Sequence, residues 1–138
     1  MTDPRLIPEL ICSEIDRSLE FYTQVLGFTV LYARPDERFA CLDREGARLM
    51  LEQPVGRRFL AAPLVAPYGR GMNLQIEVSD VRSLYEAARA SGPRIYLPRE
   101  EKWYRRDGAL AGSSQFIVRD PDGYLLRFFQ DLGTRPLE

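Results

Sequence analysis

The sequence contains no histidine among its 138 residues. A Ser-His-Asp triad, a Cys-His pair and a histidine-based zinc site all need an imidazole, which titrates near neutral pH and binds borderline metals as a neutral nitrogen. These sites are therefore excluded. Chemistry would have to use carboxylates, a cysteine with an unusual base or a carboxylate site for a hard cation, and binding without chemistry stays open.

Long apolar runs and paired cysteines are also missing. The uncharged run from Phe59 to Gly69 has eleven residues and two prolines, too short to cross a bilayer, so no membrane partner is expected. The N-terminal residues MTDPRLIPE lack the apolar centre of a signal peptide, which predicts a cytoplasmic protein. Cys12 and Cys41 do not have the CxxC spacing of a redox or zinc site and are predicted to be buried thiols.

Charge of one sign does not dominate either. Nineteen basic residues oppose twenty acidic ones, which gives a net charge of -1. Only one of the basic residues is a lysine, Lys102, and we attribute the excess of arginine to compositional bias. A chain with this balance has no overall field to attract nucleic acid, so no nucleic-acid partner is expected.

Two stretches of the chain resemble each other. Residues 7–28 read IPELICSEIDRSLEFYTQVLGF, and residues 73–93 read NLQIEVSDVRSLYEAARASGP. Each has a short alternating run, then serine, an acidic residue and a β-branched residue, then an amphipathic stretch. The ends of the halves match as well, because DREGARLMLEQ (43–53) parallels DPDGYLLRFFQ (120–130). Such an internal repeat predicts two copies of one structural unit.

Each copy is predicted to fold as βαβββ. Apolar residues at helical spacing predict helices near 14–26 and 80–91, which end at Gly27 and Gly92. A strand should follow each helix, around Thr29–Ala33 and Arg94–Leu97, and each acidic turn should join a hairpin. Residues suited to cap the helix N-termini are Ser13 or Asp16 in the first copy and Ser79 or Asp80 in the second.

These elements predict one α+β domain over residues 1–138. Its first βαβββ module would span 5–53 and its second 72–131, with a linker at 54–71 that contains three prolines and three glycines. A linker of this length is unusual in a compact domain. It suggests either an ordered excursion over a binding site or a crossover that lets the halves exchange between chains.

The paired modules, the opening SEIDRSLEFYTQVLGF and the ending DPDGYLLRFF resemble the vicinal oxygen chelate superfamily, the glyoxalase, bleomycin resistance and dioxygenase proteins. The resemblance covers nearly the whole chain. It implies two βαβββ modules that form a cupped mixed β-sheet with helices on its outer face, usually in a homodimer. Because this fold carries both metal enzymes and metal-free binding proteins, the resemblance alone does not assign a function.

The metal-dependent members place ligands at four strand positions, which by this resemblance are Ile7, Met50, Asn73 and Arg127 here. None is a carboxylate or an imidazole, and an arginine would repel a cation. The sequence therefore predicts neither a metal nor another cofactor. A register error of one or two residues would bring Glu9 or Glu52 to a ligand position.

Polar residues alternate along the predicted strands. In Asn73–Val78, Asn73, Gln75 and Glu77 share one face. By the same alternation this face is joined by Glu9, Glu52, Gln115 and Arg127. Periodicity alone favours a solvated outer face with Arg127 paired to Glu77 or Glu9. The resemblance instead implies that these residues line a ligand-binding cup.

The segment RIYLPREEKWYRRDG (94–108) is a second candidate for ligand binding. Trp103 and Tyr104 stand among charged residues, a setting that suits stacking on a planar or cationic group. The alternative is that Trp103 covers a sheet edge or a dimer interface.

Two functions remain. The first is a metal-free small-molecule binding protein, similar to the bleomycin resistance proteins, that sequesters a planar or cationic drug. The second is a lyase or isomerase of the glyoxalase type, or a dioxygenase-related enzyme, with Glu9 or Glu77 as base beside Arg127.

Overall fold

The computed structural model describes residues 3–55 and 59–137. These described residues divide into two compact units, one within residues 1–70 with 120–124 and the other within residues 71–119 with 125–138. Residues 56–58 of the predicted linker lie outside the described residues, and the predicted module boundaries stay a prediction. Among the described residues, no helix is long and apolar enough to cross a membrane.

The first unit contains one βαβββ module. Its elements are strand β1 (Glu9–Ile11), helix α1 (Ile15–Glu20) with a π-helical turn (Phe21–Val25), β2 (Thr29–Arg34), a 3-10 turn (Pro35–Glu37), β3 (Phe39–Arg44) and β4 (Ala47–Glu52). The sheet order is β1-β4-β3-β2, with β1 and β4 parallel and the other pairs antiparallel.

The second unit repeats this plan with longer strands. Its elements are β5 (Asn73–Glu77), α2 (Val81–Ala90), β6 (Ile95–Arg106), β7 (Ala109–Arg119) and β8 (Leu125–Pro136). The sheet order is β5-β8-β7-β6, again with a parallel first pair. The α+β class and the βαβββ order of both halves are therefore confirmed.

The strand predicted at Arg94–Leu97 was too short. β6 continues to Arg106, because residues 100–106 pair in register with β7 as far as Ala109. The charged residues of this segment give no apolar–polar alternation, since both faces of the strand are largely polar. The predicted ligand-binding segment 94–108 is thus mostly regular sheet.

Both helices match their predicted positions, but the first is capped differently. Asp80 caps α2 as predicted, with its carboxylate accepting from the Ser83 N–H. The prediction of Ser13 or Asp16 for α1 was wrong, because the Ser13 N–H and hydroxyl both donate to Asp122. A glutamine also accepts from the first backbone N–H of each helix, Gln53 just after β4 and Gln130 within β8. Gln53 accepts from the Ile15 N–H at 2.9 Å and Gln130 from the Val81 N–H at 3.1 Å.

The core of the first unit lies under one face of its sheet. Leu10, Leu42 and Leu51 are at most 3% exposed, and Tyr22 and Leu26 of the helical segment are fully buried as well. Cys12 and Cys41 are buried free thiols, as predicted. Burial raises the pKa of Cys12 to about 12, so this thiol is protonated at neutral pH and unsuited to act as a nucleophile.

Candidate functional site

A cavity of about 390 Å3 opens in the first unit and contains four carboxylates. We call it the acidic cavity, and its lining residues are Glu9, Arg34, Asp36, Glu37, Phe39, Glu52 and Val55. Two of the sequence-predicted ligand-binding residues, Glu9 and Glu52, therefore share one cavity.

Strand register explains why these side chains meet. Glu9 on β1 pairs with Met50 on β4, and Glu52 on β4 pairs with Phe39 on β3. Paired residues point to the same face of a sheet, as do residues two apart on a strand. Glu9, Glu52 and Phe39 therefore lie on one face, opposite the core leucines.

The carboxyls of Glu9 and Glu52 interact directly. Partial burial, followed by the charge of Glu9 and a hydrogen bond to it, raises the pKa of Glu52 above its ordinary value. Two neighbouring carboxylates repel each other, so a proton shared between them or a cation beside them relieves the repulsion. This arrangement is suited to hold a positively charged group, and a carboxyl with a raised pKa is also suited to act as an acid or base.

Arg34 covers the aromatic side of the acidic cavity. Its guanidinium carbon lies 4.1 Å from the centre of the Phe39 ring, and its Nε donates to the Glu37 carboxylate. Sequence reasoning missed Arg34, Glu37 and Phe39. The available signal was the alternation of RFACL, which puts Phe39 on the face of Glu52, but nothing in the sequence indicates that Arg34 turns back over the ring.

The predicted residues on β5 and β8 lie in the second unit. Asn73, Gln75 and Glu77 are exposed along one face of β5, and Arg127 pairs with Gln75 across the parallel ladder. The expected pairing of Arg127 with Glu77 or Glu9 was wrong, because its Nε donates to the Gln115 side chain at 2.9 Å. Gln115 is 5% exposed and fixes the orientation of this guanidinium.

Trp103 is half-buried on β6, and residues of β7 and β8 lie close to its ring. The guanidinium carbon of Arg135 lies 4.0 Å from the ring centre, and a Cβ added at Gly112 would lie only 2.6 Å from ring atoms. The indole therefore covers a glycine of the neighbouring strand. Tyr104, the next residue along the strand, points to the opposite face and is 46% exposed. A flat ligand would have to displace Arg135 to stack on Trp103.

The four positions that the resemblance assigns to metal ligands carry an unsuitable set of donors. Ile7 has no donor atom, Met50 offers a soft thioether, Asn73 a neutral amide, and the Arg127 guanidinium is a cation already hydrogen-bonded to Gln115. Hard divalent cations need several oxygen ligands, so these residues do not fit the metal of the enzymes. In the part of the chain that the structure describes, no three acidic or cysteine side chains are grouped so as to hold a metal ion.

A second group of acidic residues in the first unit, Asp120 and Asp122, makes structural hydrogen bonds. Asp120 accepts hydrogen bonds from the Tyr22 hydroxyl and from the backbone N–H groups of Asp122 and Tyr124. Burial raises the pKa of Asp120, and these bonds partly offset that effect. The group therefore organises a turn and is not open to a ligand.

Comparison with known proteins supports the resemblance noted in the sequence. Residues 7–128 match the model of the family described as the Glyoxalase/Bleomycin resistance protein/Dioxygenase superfamily. A lactoylglutathione lyase of Haemophilus influenzae is 30% identical over 131 residues, which cover 88% of each chain. A bleomycin resistance protein of Geobacillus stearothermophilus is 28% identical over 137 residues, covering 91% of this chain and 96% of the relative.

Solved structures agree with these relatives. The crystal structure of TioX from Micromonospora sp. ML1 superposes with a TM-score of 0.68 at 27% identity, covering 94% of this chain and 99% of that one. The family model spans most of the chain, and the observed βαβββ repeat is the fold that the resemblance implied. The chain therefore belongs to the glyoxalase/bleomycin resistance protein/dioxygenase superfamily.

Proposed function

We propose that this protein binds a planar, cationic small molecule without a metal ion, in a sequestering role like that implied by the name of its bleomycin resistance relatives. The observation that carries the proposal is the acidic cavity, where Glu9 and Glu52 lie on the same sheet face as Phe39. Carboxylates neutralise a cation, and an aromatic face stacks on a flat group. The unsuitable donors at the metal-ligand positions support binding over metal-dependent catalysis.

The proposal is tested by calorimetry with benzamidinium, a small planar cation, in buffer containing a chelator. Loss of a hydrogen bond to a charged group costs about 1.5–3 kcal/mol, so Glu9→Gln with Glu52→Gln should weaken binding at least about tenfold. Glu86→Gln, which removes an exposed carboxylate on α2, is the matched control and should leave affinity unchanged. Absence of benzamidinium binding, or equal loss in the control, would count against the proposal.

Bleomycin itself is the second probe, because its name is carried by relatives of this chain. Trp103 is another binding residue that the sequence predicts, so Trp103→Ala should weaken binding of bleomycin by about 1–3 kcal/mol. The thermal midpoint should stay close to that of the wild type. A variant that unfolds while affinity per folded molecule is unchanged would assign Trp103 a structural role. The homodimer is part of the same proposal, and light scattering of the purified protein tests it.

A metal-free lyase or isomerase is the second candidate. The observation that favours it is the raised pKa of Glu52 beside Glu9, since such a carboxyl is suited to proton transfer. Turnover of lactoylglutathione in the presence of a chelator tests this function. Turnover that is lost in Glu52→Gln would favour the enzyme over the binding protein.

A further inference from the structure

The chain places one of its own planar cations in the acidic cavity. Arg34 is the last residue of the edge strand β2, and its guanidinium lies 4.1 Å from the centre of the Phe39 ring. The 3-10 turn Pro35–Glu37 then reverses the chain and brings the Glu37 carboxylate to the Arg34 Nε. Stacking on a ring and pairing with a carboxylate are the contacts that the proposed ligand would make.

Arg34 is held weakly enough to be displaced. Its side chain remains 53% exposed, and that of Glu37 is 64% exposed. Exposed ion pairs are weak, because water competes for both partners. Phe39 is only 6% exposed, with the Arg34 guanidinium over its ring and the Tyr32 ring centre 6.0 Å from its own. Moving Arg34 would therefore expose the part of the ring that its guanidinium covers, beside the carboxylates.

The positive charge of Arg34 also acts on the carboxyl pair. It lowers the pKa of Glu52 and so opposes the larger effects of burial and of Glu9. This is the influence that a bound cation would have. The guanidinium thus matches the proposed ligand in shape, in contacts and in its effect on the neighbouring charges.

We propose that Arg34 is an internal competitor for the acidic cavity, and that the cavity accepts a planar cation, an amidinium or guanidinium group, in place of the Arg34 guanidinium. This inference rests on the proposed function, because it concerns the same cavity. A ligand that binds only the uncovered state has its apparent affinity reduced by the fraction of molecules in that state. Removal of Arg34 should therefore tighten binding of a planar cation.

Calorimetry with benzamidinium and with benzylammonium, a cation whose charged group is not planar, tests the inference in three variants. Should Arg34 cover the ring in about nine molecules of ten, Arg34→Ala will bind benzamidinium about tenfold more tightly than the wild type. Arg34→Lys keeps the charge but loses the planar group, so its affinity for benzamidinium should fall between those of the wild type and Arg34→Ala. Arg82→Ala, which removes an exposed arginine from α2, is the matched control and should bind like the wild type. Wild type should prefer benzamidinium to benzylammonium.

The outcomes separate this inference from the proposed function. Binding of benzamidinium by wild type with unchanged or weaker binding by Arg34→Ala would overturn the competitor while leaving the proposed function standing. Tightening in Arg34→Ala but none in Arg34→Lys would reduce the effect to charge and also overturn it. If neither the wild type nor Arg34→Ala binds benzamidinium, and circular dichroism shows that both proteins are folded, the proposed function and the inference are overturned together. Binding by Arg34→Ala alone would support the competitor and count against the proposed function, because the wild-type protein would then not bind the cation.

Discussion

The two units share one βαβββ order but differ in strand length. β2, β3 and β4 have six residues each, whereas β6, β7 and β8 have twelve, eleven and twelve. The extra residues form a three-stranded extension in which Trp103, Gly112 and Gly133 stand in register. The difference shows that the repeated motifs determine topology, while strand length depends on pairing partners that the motif does not contain.

The acidic turns of the two copies have opposite environments. In Asp43–Gly46, the Asp43 side chain is half-buried and accepts one long bond from the Gly46 N–H. In Asp120–Gly123, Asp120 is 1% exposed and accepts three bonds. The same motif is thus a surface turn in one copy and a buried structural element in the other.

Each unit also stacks an arginine on an aromatic ring. Arg34 covers Phe39 at 4.1 Å and Arg135 covers Trp103 at 4.0 Å. Only the first pair lines the acidic cavity, beside Glu9, Glu37 and Glu52, while the Trp103 ring packs on Gly112. Stacking alone therefore does not define a binding site, and the carboxylates around Phe39 distinguish the two places.

The aspartates of the two acidic turns should differ strongly in what they contribute to stability. Asp120→Ala leaves the Tyr22 hydroxyl and two backbone N–H groups without their acceptor, and each unsatisfied buried group costs about 1–3 kcal/mol. We expect a loss of at least about 3 kcal/mol in the free energy of unfolding, measured by urea denaturation at pH 7. Asp43→Ala at the matching position should cost less than about 1 kcal/mol. Similar losses in both variants would show that the two turns are equivalent.

Contacts between residues far apart in the chain explain which features the sequence could not predict. The β-α-β-β-β order followed from local patterns, and the shared face of Glu9 and Glu52 followed from alternation. The loss of Ser13 as a cap did not, because its partner Asp122 is 109 residues away. The position of Arg34 over Phe39 depends on a turn at the edge of the sheet and leaves no periodic signal.

The second prediction concerns the extension found only in the second unit. A Cβ at position 112 would meet the Trp103 ring at 2.6 Å, so Gly112→Ala forces the indole to move. Overpacking of this kind costs about 1–3 kcal/mol in unfolding free energy, measured by urea denaturation. In a Trp103→Ala background the same change should cost less than about 0.5 kcal/mol, because the obstructing ring is gone. An equal cost in both backgrounds would mean that Trp103 does not restrict Gly112.

The glutamine contact at the start of each helix is a feature that the two units share. Gln53 and Gln130 each accept from the first helical N–H of their own unit, so Gln53→Ala and Gln130→Ala should each destabilise the protein by about 1 kcal/mol. Gln24→Ala, at an exposed position, is the control and should be neutral within about 0.5 kcal/mol. Thermal denaturation measures all three. A loss confined to one glutamine would show that the repeat does not preserve this contact.

The smallest expected effect separates the two helix N-termini by their dependence on pH. Asp80 accepts from the N–H and hydroxyl of Ser83, and these bonds hold the pKa of its carboxyl below the ordinary value of 3.8. A carboxyl with a lowered pKa in the folded state stabilises the protein above its unfolded pKa, and this contribution is lost as pH falls through the folded pKa. Asp80→Ala should therefore lower the thermal midpoint at pH 6, and the difference from wild type should shrink as pH falls below about 3.8. Glu14 occupies the corresponding position of α1 without a side-chain capping bond, so Glu14→Ala removes no cap and should change the thermal midpoint at pH 6 less than Asp80→Ala does. A difference for Asp80→Ala that stays constant from pH 6 to pH 3 would assign its effect to helix propensity instead of to the charged cap.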